Sequence, residues 1–378
     1  MAQPFLGTSF CQGAAMKRIL FSGGGTGGHI YPALAIREVI LEKLGTEVET
    51  AYMGVGDGME AGIVARVPGL PFFPVRAQGM PRRLSLQWLT FPVRNALGFS
   101  DAVRHLREFK PDLVVTTGGF VAFPCLMSAW LSGVPFVLHE QNAAMGFTNR
   151  LFASRAKRVL LTYGEAYTET SERVTVTGNP VRGAFRHRTP VTGRFEKKPG
   201  EFWLLAVGGS RGAASLNKAC VGFVRDVLPR YPEVKLIHIA GERDYENIRS
   251  QIPTMPNHIL LPYLHEMREA FAVADLLISR AGATILAEIA CEGRPAILVP
   301  YPFATDNHQE KNARILEERG AAKVLLDHEL SGERLERLLV DLRHEGRLES
   351  MAAAMRLTRP ENVEERIWKA IEECLTAP

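Results

Sequence analysis

Cysteine is scarce and scattered: the 378 residues contain five, at positions 11, 125, 220, 291 and 374, with no C-x-x-C pair. An odd set of distant thiols suggests neither a disulfide framework nor a thiolate zinc site, so a reducing compartment is the natural setting. Positions 1–15 hold no basic residue and only a short apolar stretch, and so lack the charged start of a secretory signal. Residues 1–16 read as a flexible leader, with Met16 an alternative start. No G-K-[ST] follows the glycine-rich segment at 23–28, which removes a P-loop. Positions 113–138 lack charge altogether and are long enough to cross a bilayer on length alone. Their Gly118, Gly119, Pro124, Gly133, Pro135 and β-rich ends instead describe buried strands around a short helix.

What is present is an ordinary globular composition, 46% hydrophobic and 23% charged with mean hydropathy near zero, which excludes disorder and a polytopic membrane protein. At roughly 150 residues per domain, the length implies two domains, each able to bury a core. Apolar strands at 18–22, 48–53, 113–116, 202–207, 235–240, 276–279 and 296–299 alternate with helices, one of them expected from about 32 to 44. Such alternation defines an α/β fold with parallel sheets. Positions 183–201, rich in Arg, Lys, Pro, Gly and Thr, read as a linker, so the boundary falls near Arg182. ILFSGGGTGG at 19–28 and LLAVGGSRGA at 204–213 echo one another, each a strand running into a glycine-rich turn. The echo suggests two nucleotide-type folds facing one another. Charge divides unevenly: positions 1–182 carry 18 Lys+Arg against 13 Asp+Glu, and the remainder 27 against 28.

The loop at 23–28 satisfies G-x-G-x-x-G after a strand and before a helix, where free N–H groups and the helix dipole hold an anion; a ligand-free tight turn is the plainer reading. A dinucleotide site also requires an acid ending the second strand. Glu49 lies near that strand's start instead, which disfavours a dehydrogenase. His29 follows the glycines at the mouth of any cleft, as a base near neutral pH or as a structural cap. In the second half, small residues at 279–284 open a helix on which Glu288 sits one turn beyond Thr284. A helix start binding phosphate and a carboxylate accepting ribose hydroxyls suit a nucleoside diphosphate; the alternative is an ordinary surface i, i+4 pair. The polar run 305–312 pairs Asp306 with Gln309 as a capping box, or holds sugar hydroxyls at the C-terminal end of a strand.

Six segments then carry a resemblance: GGGTGGHIYPALAI (23–36), HEQNAAMGFTNR (139–150), TGNPVR (177–182), GGSRGAASLN (208–217), SRAGATILAE (279–288) and DNHQEKNA (306–313). In this order they resemble the successive motifs of the MurG family of peptidoglycan glycosyltransferases, from about Lys17 to the C-terminus. The resemblance implies a GT-B fold: two Rossmann-like parallel-sheet domains facing across a cleft, at 17–182 and 202–362, with 363–378 a helix returning to the first. It implies transfer of N-acetylglucosamine from UDP-N-acetylglucosamine to lipid I, giving lipid II; another lipid-directed GT-B transferase, such as a diacylglycerol glycosyltransferase, is the alternative. By the same likeness Thr26, Gly27 and Gly28 face the diphosphates, Asn142 and Gln309 bind the donor sugar, and Arg182 and Ser210 contact UDP. Leu264 offers backbone groups to uracil, Ala283 and Thr284 cap the donor phosphate, Glu288 holds the ribose, and His29 activates the acceptor.

Inverting transfer needs a base, stabilisation of an oxocarbenium-like transition state and a partner for the charge on departing UDP. None of the nine aspartates forms D-x-D, so the helix start is expected to replace a tightly bound metal, and no cofactor is called for. Positions 61–100 hold Arg66, Arg76, Arg82, Arg83 and Arg94 and no acid, interleaved with Met80, Leu84, Leu86, Trp88, Leu89 and Phe91. This composition fits a patch that dips into an anionic leaflet, implying peripheral attachment to the cytoplasmic face of the inner membrane; a half-buried helix with a solvated basic face is the plainer reading. No nucleic-acid-binding module is recognisable. The resemblance also implies contact with other cell-wall synthesis proteins.

Overall fold

The computed structural model describes residues 16–80, 87–168, 171–208 and 213–376. Most of the leader, Arg82, Arg83, Leu84 and Ser210 lie outside them. Two parallel sheets organise the chain. The first is built from β1 (Lys17–Ser22), β2 (Val48–Val55), β3 (Phe72–Val75), β4 (Leu113–Thr116), β5 (Phe136–Glu140), β6 (Arg158–Leu161) and β7 (Val174–Val176), in the order β3-β2-β1-β4-β5-β6-β7. The second contains β8 (Phe202–Val207), β9 (Val234–Ile239), β10 (His258–Leu261), β11 (Leu276–Ser279), β12 (Ala296–Leu298) and β13 (Ala322–Val324), in the order β10-β9-β8-β11-β12-β13. Neighbouring strands pair in parallel throughout, as in β1 with β4 and β8 with β11. In each sheet the order reverses beside the first strand, so a crevice opens at the carboxyl ends of β1 and β4 and of β8 and β11.

The uncharged stretch 113–138 resolves into β4, the helix Ala122–Leu131 and β5, with both strands fully buried. Among the described residues, no helix is long and apolar enough to cross a membrane. The helix expected from about position 32 begins earlier, at Gly27, and runs to Leu44, so Gly28 and His29 lie in its first turn. Pro32 sits inside it. Lacking an N–H, Pro32 leaves the carbonyl of Gly28 without its usual intrahelical donor.

The segment 183–201 is not a free linker. Gly183–Arg186 forms a short helix, and Phe185 and Phe195 are buried in the second domain's core with Trp203 and Phe271. Two anchoring aromatics separated by polar residues carry no helical or strand period, which is why they read as linker. The helix Val363–Thr376 packs Val363, Ile367, Trp368 and Ile371 against Ile36, Val39 and Ile40 of the first domain. Lys17 and Lys157 donate to its last-turn carbonyls, Leu375 O at 3.3 Å and Cys374 O at 3.2 Å, where the helix dipole favours cations.

Candidate active site

The 23–28 loop leaves β1 against β4. A Cβ on Gly23 would sit 2.0 Å from the Thr117 hydroxyl oxygen, so no other residue fits there. Part of the loop's anion-binding capacity is met from within: Gly24 N donates to Gly118 O at 3.3 Å and Gly25 N to the carboxylate of Glu60 at 3.3 Å. Glu60 is fully buried and also accepts from Val55 N at 2.9 Å. The groups left for a ligand are the N–H groups of Gly27 and Gly28, since His29 N already donates to Thr26 O at 3.1 Å. Thr26 is the N-cap, in extended conformation, and its side chain makes no capping bond.

His29 projects from that turn into the crevice. Its Nδ1 lies 2.8 Å from Thr117 O and 3.0 Å from Gln141 Oε1. Two oxygen acceptors on one ring nitrogen require that nitrogen to carry a proton, so in the neutral ring Nε2 is the one with the lone pair. Across the crevice His308 begins the helix His308–Glu318; burial, and to a smaller degree the neighbouring His29, hold its imidazole below the usual histidine range.

In the second domain the helix Ala283–Glu292 starts at Gly282, and the space beside Gly282 is open. The Thr284 hydroxyl donates to Gly28 O at 3.4 Å, the carbonyl that Pro32 leaves free. The two helix starts therefore meet beside His29. Ala283 is buried, and its carbonyl accepts from Asn179 Nδ2 at 3.1 Å. Glu288 is 2% exposed and accepts from Arg182 Nε at 2.8 Å, with Nη2 at 2.7 Å. Burial pushes the Glu288 carboxyl up while Arg182 opposes it. Arg182 and Glu288, expected to hold different parts of UDP, are thus direct partners, and the burial of Glu288 rules out the ordinary surface pair with Thr284. Arg182 also lies over the Tyr31 ring. Burial and a hydrogen bond with Tyr263 raise the Tyr31 hydroxyl to about 12. Leu264 buries its side chain in the second domain's core, leaving only its backbone for a ligand.

Gln309 uses Oε1 to accept from Ala281 N at 3.2 Å and Tyr301 N at 3.0 Å, so its amide NH2 is the end available to a sugar. The Asp306–Gln309 capping box does not form: Asp306 and Asn307 both take positive φ, 52° and 53°, and Asn307 donates instead to Glu310 at 2.7 Å. Asn142 bonds Glu140 Oε1 through Nδ2 at 3.2 Å and accepts from Asn312 Nδ2 of the second domain at 3.2 Å. Asn312 further accepts from Ala143 N at 2.8 Å and donates to Ala281 O at 3.2 Å, so it joins both halves. The sequence reading missed Thr117 and Gln141 as site residues, and it took in His308 and Asn312 only as members of the polar run 305–312, without a role of their own. Among the described residues no group of three or more His, Cys, Asp or Glu is placed to hold a metal ion.

Away from the crevice, the helix Gln87–Phe109 exposes Trp88 (44%) and Leu89 (73%), with Val93, Leu97 and Arg94 also exposed. Phe91 is half-buried beside Trp88, their rings 6.2 Å apart, and Met80 is exposed. The adjacent helix Ala122–Leu131 adds exposed Trp130 (43%) and Leu131 (60%), with Arg155 4.6 Å over the Trp130 ring.

Family models match both halves: the glycosyltransferase family 28 N-terminal domain over residues 19–161 and the glycosyltransferase family 28 C-terminal domain over 203–367. The UDP-N-acetylglucosamine--N-acetylmuramyl-(pentapeptide) pyrophosphoryl-undecaprenol N-acetylglucosamine transferase of Moorella thermoacetica is 42% identical over 349 residues, covering 89% of this chain and 93% of that protein. This chain belongs to the MurG family. The same-named transferase of Halothermothrix orenii is 41% identical over 362 residues, 91% of this chain and 95% of that one. The crystal structure of Acinetobacter baumannii MurG superposes with a TM-score of 0.73 at 29% identity, over 94% of this chain and 99% of that one. The GT-B arrangement is shared with more distant glycosyltransferases, among them the calicheamicin enzyme CalG4, TM-score 0.71 at 15% identity, a likeness of fold alone.

Proposed function

We infer that this MurG-family chain is the hexosyltransferase that moves N-acetylglucosamine from UDP-N-acetylglucosamine to the muramoyl 4-hydroxyl of undecaprenyl-pyrophosphoryl-MurNAc-pentapeptide, lipid I, giving lipid II for peptidoglycan. Identity of 37–42% with transferases so named, over most of the chain, supports the reaction. The observation that carries the site assignment is that His29, with Nδ1 bonded to Thr117 O and Nε2 left over, stands where the two domains' helix starts meet.

In this reading His29 Nε2 takes the acceptor hydroxyl's proton as the oxygen attacks the anomeric carbon and the bond to UDP breaks with inversion. The Gly282–Thr284 helix start stabilises the charge on departing UDP. Thr26, Gly27 and Gly28 offer N–H groups to a diphosphate, Gln309 donates its amide to the sugar, and Glu288 and Arg182 exchange their mutual bond for contacts with ribose and phosphate. Leu264 offers its backbone to uracil. Asn142, held by Glu140 and Asn312, binds the donor sugar with Gln309. Ser210 completes the UDP contacts by likeness to the family. The decisive assay is labelled UDP-N-acetylglucosamine with lipid I, followed by chromatography for lipid II. Wild type yields product and His29→Ala loses turnover while still binding UDP-N-acetylglucosamine; absence of product with wild type refutes the reaction.

The lipid acceptor brings the first domain to a membrane. Trp88, Leu89 and Phe91 with Met80 and Arg94, and Arg82, Arg83 and Leu84 by their place in the sequence, are the residues assigned to the anionic cytoplasmic face of the inner membrane. Flotation with anionic liposomes tests it: Trp88→Glu with Leu89→Glu abolishes binding, and unchanged flotation of that variant refutes the assignment.

A further inference from the structure

We propose that His139 and Gln141 are positioning residues that fix the proton of His29 on Nδ1 and so reserve Nε2 for the acceptor. The proposal rests on the reading of His29 as the base. His139, on β5, is fully buried, with Nε2 3.1 Å from Gly178 O. A carbonyl oxygen only accepts, so His139 is protonated at Nε2 and its Nδ1 is an acceptor. Gln141 Nε2 lies 3.1 Å from that Nδ1 and 2.8 Å from His139 O. Both neighbours are acceptors, so the amide nitrogen faces His139 and the amide oxygen faces His29 Nδ1, at 3.0 Å.

The opposite arrangement fails at each step. A flipped Gln141 amide would bring two oxygens to 2.8 Å at His139 O and would present N–H groups to His29 Nδ1. That Nδ1 is already committed as a donor by Thr117 O at 2.8 Å. Gly178 O therefore sets the tautomer of His139, His139 sets the rotamer of Gln141, and Gln141 joins Thr117 O in holding the proton of His29 on Nδ1. Burial keeps His139 uncharged, its pKa lowered to about 4, so the sequence of donors and acceptors persists through neutral pH. Thr117 supplies the first acceptor for Nδ1, and Gln141 adds the second while closing one side of the imidazole.

Imidazole nitrogen shifts read this directly. In 15N-histidine-labelled wild type, with the His29→Ala spectrum identifying the His29 signals, the proposal expects a protonated Nδ1 and an unprotonated Nε2 at His29, and the reverse at His139. Gln141→Leu is expected to move His29 toward a tautomer mixture and to lower kcat about tenfold with the KM for UDP-N-acetylglucosamine unchanged. A wild-type His29 protonated on Nε2 overturns the proposal without recourse to any variant, as does a folded Gln141→Leu protein with unchanged shifts and kcat. Near-normal turnover of His29→Ala is a different failure: it removes the base reading itself, whatever the spectra show.

Discussion

The two domains share a strand order and place a helix start at the same kind of crevice, yet they equip it differently. In the first, the loop is packed from below by Glu60 and Thr117, its helix is interrupted by Pro32, and the first turn carries a histidine. In the second, the helix begins at an uncrowded Gly282 with no acid in its first turn, and its carboxylate, Glu288, lies deeper against a guanidinium. In the proposed reaction one crevice supplies the proton acceptor and the other the place for negative charge. Shared topology fixes where chemistry happens; which half of a transfer each side performs is decided by a few side chains.

The sharpest way to break this division is to remove its basic side. His29→Ala is expected to lower kcat by about 10²–10⁴-fold, the usual worth of a general base, with donor affinity retained; steady-state assay with lipid I and calorimetry with UDP check the two halves separately. Acid should strain the second domain first. His238 there is buried and His258 half-buried, with pKa values lowered to about 3 and about 4, against His139 alone in the first, also at about 4. Because the folded values are depressed, the stability carried by the neutral rings is complete above pH ~6.5 and lost as pH falls toward 4, by about 1.4 kcal/mol per pH unit for each ring. Thermal unfolding followed from pH 7.5 to 4.5 is expected to show the second-domain transition falling faster.

Glu288→Gln tests the other side. It keeps the shape but removes the charge opposite Arg182, and UDP-N-acetylglucosamine binding is expected to weaken about 10–100-fold while the reactivity of His29 toward the acceptor persists. The smallest expected effect is that of Thr284→Val, which deletes the hydroxyl bonded to Gly28 O. A loss of about 1 kcal/mol in donor-dependent stabilisation, read as a smaller rise in Tm on adding UDP, is the expected result.

Much of the fold was legible because buried parallel strands announce themselves. The runs 113–116, 202–207 and 276–279 coincide with β4, β8 and β11, each an apolar stretch bounded by polar or small residues. The start of the first helix was misplaced because glycines and Pro32 are breakers in isolation, whereas contacts with β4 hold that turn in place. In the site, His29, Thr284 and Glu288 stood out as residues beside glycine-rich turns. The partnership of Glu288 with Arg182 did not, and neither did that of His29 with Gln141, 112 positions apart. Such pairings are chosen by the folded chain, and no local period records them.

Pro32 gives the interdomain contact a particular meaning. An uninterrupted helix would have spent the Gly28 carbonyl on its own backbone and offered the second domain nothing to grip. The proline turns a flaw in secondary structure into a socket one residue from His29, and the Thr284 hydroxyl is its plug. Apposition of the halves is thereby registered beside the reacting atoms and not at a distant hinge, so a chain that closes askew would announce the error at the place where it matters for catalysis.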